Sequence, residues 1–140
     1  MHKLFLDANI LFAAICSETG ASNALFQLAA KKKIKLSSNI HAIKEAKKNI
    51  SFKLGERKLP ELFVMISLLV AVEKRPPGSK LESKYKDLIE AKDLPILLGA
   101  IQQKADYLIT LDKKHFKTQK LANTNFPFKI MPPGEYLQSI

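Results

Sequence analysis

Two short apolar runs in this chain each end on an aspartate. Leu4-Phe5-Leu6 stops at Asp7, and Tyr107-Leu108-Ile109-Thr110-Leu111 stops at Asp112. Apolar runs this short suit strands buried on both faces, because neither shows the alternation of a half-solvated strand. Between them, helical periods dominate. Ala21, Ala24, Leu25, Leu28 and Ala29 predict a helix over 22–33, and further helices are expected over 39–52 and 57–69, the last with Pro60 in its first turn. Weaker strands are expected over 34–37, 70–72 and 128–131. Pro76-Pro77-Gly78 marks a loop, 79–91 a charged exposed helix, and Asp93 the start of another helix with Pro95 in its first turn. Strands alternating with helices predict an α/β fold with a parallel sheet covered on both faces. At 140 residues, with no repeat and no linker-like stretch, a single domain over 1–140 is expected.

A parallel α/β sheet binds its ligands outside the carboxyl ends of its strands, where the strand order reverses. Asp7 and Asp112 stand at such ends. If their strands are neighbours, the two carboxylates converge and repel, unless a cation joins them. A hard divalent ion with oxygen ligands, Mg²⁺ or Mn²⁺, fits that need and suits phosphodiester cleavage. Asp93 and Glu45 are the further candidates. Each acid also has an ordinary role open to it: Asp7 in an Asx turn, Asp93 and Asp112 as helix caps, Glu45 pairing with Lys48 on a helix surface. Glu90 is a substitute for Asp93, and Asp106, which precedes its strand, reads as a turn residue.

Charge makes these acids conspicuous. The chain carries 23 Lys and Arg against 13 Asp and Glu, a net +10. Such a balance favours a polyanionic partner, nucleic acid before a membrane surface. Ten of the basic residues fall between Lys31 and Lys58, against two acids. There Lys44, Lys47 and Lys48 flank Glu45, and Lys113, Lys114 and His115 directly follow Asp112. These six are the expected phosphate contacts, positioning a nucleic-acid backbone without reading its sequence.

Several classes are disfavoured. One cysteine, Cys16, excludes an internal disulfide, and three scattered histidines do not make a closed zinc site. Asp7 and Asn9 interrupt what would otherwise resemble a signal peptide. The run Leu62–Val72 is too short to cross a bilayer. A cytoplasmic protein without membrane association is expected. The apolar Leu62–Leu69 helix and an edge strand over 70–72 point to a homodimer.

Taken in order, Leu4-Phe5-Leu6-Asp7-Ala8-Asn9-Ile10-Leu11, the helical Glu45, Asp93 followed by Ile96-Leu97-Leu98-Gly99-Ala100, Ala105 to Asp112, and Lys129 to Leu137 resemble the PIN-domain family of metal-dependent ribonucleases, VapC-type toxins among them. The resemblance runs over essentially the whole chain. It implies a three-layer α/β/α sandwich with a five-stranded parallel sheet in order 3-2-1-4-5. It also implies a metal-binding and catalytic quartet of Asp7, Glu45, Asp93 and Asp112, with Asn9 and Thr110 in support. The function implied is that of a Mg²⁺- or Mn²⁺-dependent endoribonuclease, with an antitoxin protein as partner where the member is a toxin. The chain departs from the family in having Leu94, Pro95, Lys113 and Lys114 where many members place a further acid. The rival readings are a PIN-like module that binds RNA or protein without cleaving and, lacking its expected acid pair and lysine, a phospho-acceptor receiver domain.

Overall fold

The structure is a computed structural model describing residues 1–140. Its sheet comprises β1 (Lys3–Leu6), β2 (Lys35–Asn39), β3 (Ala71–Glu73), β4 (Tyr107–Ile109) and β5 (Lys129–Met131). All pairs are parallel and the order is 3-2-1-4-5, so the reversal falls between β1 and β4 as expected. Leu4 faces Tyr107, Phe5 faces Leu108 and Leu6 faces Ile109 across that pair.

Nine α-helices connect and cover the strands: α1 (Ala8–Cys16), α2 (Ala21–Ala30), α3 (Ile40–Lys53), α4 (Leu59–Ser67), α5 (Ser79–Tyr85), α6 (Leu94–Gln102), α7 (Lys113–Phe116), α8 (Gln119–Ala122) and α9 (Pro133–Ser139). With this strand order, the right-handed crossovers general to parallel sheets put α1 to α4 on one face and α5 with α6 on the other, giving three layers. α1 packs on α2, α3 and α4, α9 closes against α2, and α6 lies over β2 and β4. Leu4, Phe5, Leu6, Leu36 and Leu108 are fully buried at the centre. Gly99 lets α6 approach the sheet, because a Cβ there would collide with the Phe5 ring and the Asn39 amide.

Several boundaries differ from the sequence reading. The apolar stretch Ile10–Ile15 had no assigned structure. It forms α1, because the Asp7 side chain accepts from the Ala8 N–H and starts a helix immediately after the strand. The expected 57–69 helix splits into a 3-10 turn at Glu56–Lys58 and then α4. The 79–91 helix stops at Tyr85. β4 ends at Ile109, and Leu111 turns out to 45% exposure. No helix is long and apolar enough to cross a membrane.

Candidate metal centre at the carboxyl ends of the strands

Asp7 leaves β1 at its carboxyl end and is buried. Its Oδ1 accepts from the Ala8 N–H at 2.6 Å and its Oδ2 from the Thr110 hydroxyl at 2.7 Å. Asn9 donates to Asp7 Oδ2 at 3.4 Å, while its own side-chain oxygen accepts from the Leu111 N–H at 3.1 Å. The Thr110 hydroxyl oxygen also accepts from the Asp112 N–H at 3.1 Å. Asn9 and Thr110 thus tie the end of β1 to the chain leaving β4. Burial pushes the Asp7 carboxyl up to about 6; the Thr110 and Ala8 bonds oppose this, and the charges of Glu45 and Asp93 reinforce it.

Asp93 stands at the entrance to α6 without capping it. Its backbone is already helical (φ −98°, ψ −12°), and its side chain receives no helix N–H. The capping reading of Asp93 is therefore corrected. Its Oδ2 is instead buried with no hydrogen-bond partner. Burial raises this carboxyl too; the positive character of His115 opposes the shift and the charge of Asp112 adds to it.

Asp112 does cap a helix. Its Oδ1 accepts from the His115 N–H at 3.0 Å, and its Oδ2 lies 2.7 Å from His115 Nδ1. Burial pushes the Asp112 carboxyl up, but the His115 bonds outweigh it and hold the group below its usual range. The same contact raises the His115 imidazole. His115, expected beside Lys113 and Lys114 as a phosphate contact, turns inward to 15% side-chain exposure, with Asp93 Oδ2 at 3.5 Å and Glu90 Oε2 at 3.4 Å.

Glu45 is half exposed in the second turn of α3, 3.9 Å from His41 rather than paired with Lys48. Its charge is felt at Asp7. Lys44, Lys47 and Lys48 are exposed along the same helix, and Lys113 and Lys114 are exposed on α7. The basic run 31–58 is not one patch. Lys31, Lys32 and Lys33 lie before β2, at the amino end of the sheet, whereas α3 begins at its carboxyl end. The sequence reading missed Lys92, whose charge acts on both Asp93 and Asp112. Its position next to Asp93 was the available signal. A hollow of about 530 Å³ is bordered by Glu90, Lys114, His115 and Lys120, and Asp7, Glu45, Asp93 and Asp112 do not line it.

Another strand-end acid shows what a purely structural carboxylate looks like here. Glu73, buried at the end of β3, is gripped by Arg75 at 2.8 and 3.1 Å. Those bonds pull its carboxyl down to about 2. Asp93 Oδ2 has no such compensation.

A five-stranded parallel sheet of this order, with Asp7, Asp93 and Asp112 near its reversal point, defines a class of α/β domains. A family model described as "PIN domain" matches residues 3–114. The chain belongs to the PIN-domain family. It is similar to VapBC2 from Rickettsia felis, solved bound to a DNA fragment from its promoter, at 23% identity and a TM-score of 0.65, covering 92% of this chain and 98% of that one. It is also similar to VapC20 of Mycobacterium tuberculosis, a sarcin–ricin loop cleaving toxin, at 15% identity and a TM-score of 0.54, covering 89% and 97%. No curated protein sequence matches it.

Proposed function

We propose that this protein is a Mg²⁺- or Mn²⁺-dependent endoribonuclease and the toxin of a toxin–antitoxin pair. The observation that carries the reading is the buried, unpartnered Asp93 oxygen beside other acids, a donor set of carboxylate oxygens that fits a hard divalent cation. Asp7, Asp93 and Glu45 would hold the ion, with Asp112 a step behind because both its oxygens engage His115. A cation there supplies charge neutralisation and a more acidic water.

The chain's own groups do the rest. Glu45, open to solvent, accepts the proton of the attacking water at its carboxylate. The water oxygen bonds to phosphorus, the bond to the leaving ribose oxygen breaks, and that oxygen takes a proton from solvent. Thr110 and Asn9 keep Asp7 oriented. Lys92, Lys113 and Lys114 neutralise the phosphate, and Lys44, Lys47 and Lys48 hold the flanking backbone. Family membership and the likeness to a VapBC pair and to a sarcin–ricin loop cleaving toxin support this substrate and an antitoxin partner. Exposed Phe63 and Val64 on α4, with Val70 beside edge strand β3, support a homodimer, which light scattering at micromolar concentration tests.

One observation favours a second reading, a PIN module that binds RNA without cutting it: His115 occupies both Asp112 oxygens. Labelled RNA incubated with the protein in Mn²⁺ and in EDTA separates the two. Cleavage in Mn²⁺ alone is expected; binding without cleavage in either condition overturns the nuclease reading.

A further inference from the structure

We propose that Glu90, Asp93 and His115 form a nitrogen-bearing cation site that takes a transition metal such as Mn²⁺ or Zn²⁺ in preference to Mg²⁺. One carboxylate oxygen from each acid and one ring nitrogen of His115 lie within 4.8 Å of one another. The three residues come from different segments. Glu90 lies in the loop between α5 and α6, Asp93 at the start of α6, and His115 on α7. Two features suit this trio to a cation.

The first is the orientation of the imidazole. His115 Nδ1 sits 2.7 Å from Asp112 Oδ2. An ionised carboxylate only accepts, so Nδ1 carries the proton and the lone pair of a neutral ring falls on Nε2. A carboxylate behind one ring nitrogen with the other left for a metal is the usual arrangement of a metal-binding histidine. Nε2 lies 3.4 Å from Glu90 Oε2. Neighbouring donors around an ion bound at about 2.1 Å are themselves separated by about 3.0–3.4 Å. The second feature is Asp93 Oδ2, buried and without a hydrogen-bond partner, 3.5 Å from His115 Nδ1 on the Asp112 side of the ring. A buried acceptor with no donor is costly unless something positive reaches it.

An imidazole donor decides the selectivity. Imidazole suits Zn²⁺ well and Mn²⁺ less, as the transition-metal affinity order predicts, while Mg²⁺ prefers oxygen ligands. Because Asp93 is shared, this inference adds a nitrogen to the metal chemistry of the proposed nuclease, but it does not depend on RNA cleavage.

The test is electron spin-echo spectroscopy of the Mn²⁺-loaded protein together with calorimetric titration of Zn²⁺ and Mg²⁺. Wild type should show modulation from a directly bound nitrogen and bind Zn²⁺ more tightly than Mg²⁺. His115→Ala should lose the nitrogen signal and weaken Zn²⁺ binding by about tenfold or more, while Mg²⁺ affinity does not fall, because Asp112 Oδ2 is released. Glu90→Gln, an exposed loop substitution, should weaken Zn²⁺ binding in the same direction with the nitrogen signal kept. Absence of nitrogen coupling in wild type, or equal Zn²⁺ affinity in wild type and both variants, overturns the site. RNA cleavage in Mg²⁺ without nitrogen coupling sinks this inference alone. Nitrogen coupling without any cleavage supports it while the nuclease reading falls.

Discussion

The two ends of the sheet use polar side chains in opposite ways. At the amino ends of β1 and β4, Asp106 Oδ2 accepts from the Lys3 N–H at 2.8 Å, and His2 Nδ1 lies 2.9 Å from the Tyr136 hydroxyl. The rings of His2, Tyr107 and Tyr136 meet edge to face, at centroid distances of 4.9 to 5.8 Å. Asp106, His2 and Tyr136 each find a partner here, and the cluster joins strand, strand and closing helix. At the carboxyl ends of the same strands, Asp7 is pushed up to about 6 and an oxygen of Asp93 has no partner. Structural polar groups close their own accounts, whereas the other end leaves charge for something outside the chain to balance. Glu73 with Arg75 shows that proximity to a strand's carboxyl end does not alone make the difference.

The strongest way to break this contrast is to neutralise one acid at each end. Asp93→Asn should lower RNA cleavage by more than about 100-fold, beyond the range typical of residues that only support a ligand. Asp106→Asn keeps an oxygen for the Lys3 N–H, so it should leave cleavage intact and cost at most about 1 kcal/mol of stability. Gel assays and urea denaturation of both variants decide this. Equal losses of cleavage would erase the functional distinction between the ends.

Asp7 gives a pH test with a definite sign. Its folded value of about 6 exceeds the unfolded value of 3.8. The folded state therefore holds the proton more tightly, and the benefit is fully present below the unfolded value. It is lost as pH rises through about 6. In EDTA, Asp7→Asn should match wild type near pH 4 and exceed its stability by about 2–3 kcal/mol above pH 7. Mn²⁺ should reverse that order. At a hundredfold excess over Kd, binding to the folded state adds about 2.7 kcal/mol to wild type, raising Tm by about 5–12 °C. Calorimetry with and without Mn²⁺ measures both. A pH-independent difference between the two proteins would show that Asp7 is an ordinary cap.

The smallest effect concerns RNA binding. Replacing Lys47 and Lys48 by alanine should flatten the dependence of log K on log salt by about 0.7 per lost phosphate contact. The same change at Lys31 and Lys33, beyond the amino end of β2, should leave the slope as it is. Titrations in EDTA at several salt concentrations read this directly. Equal changes from both pairs would mean that RNA does not track toward the carboxylates.

Much of the architecture was legible because its signals are local. The apolar runs before Asp7 and Asp112 gave the two central strands, and prolines in first turns placed α4 and α6. α1 escaped notice because its residues are apolar nearly all round, with five of nine buried and no polar stripe to reveal the period. The site was legible as a set of acids but not as a set of partners. Asp93 carries the residue type and the position of a cap, yet its backbone has already entered the helix and the carboxylate turns into the protein. The ordinary alternative for Glu45, a pair with Lys48, is not formed, and His41 is its neighbour instead. His115 read as one more surface cation after two lysines, and it lies against Asp112 and near Asp93 and Glu90.

Residue pattern by itself determined the alternation of strands and helices and the placing of carboxylates at strand ends, because each depends on spacing within a few residues. Only the tertiary structure decided which charges are neutralised. Whether a carboxylate finds a guanidinium, an imidazole or nothing depends on how the packed segments turn its side chain, not on which residues flank it. Glu73 finds Arg75 two residues on, whereas Asp93 meets His115 from another helix and still keeps one buried oxygen without a donor. Desolvation is a property of the packed molecule, and it is desolvation that raises Asp7 and Asp93 and gives this end of the sheet its chemistry.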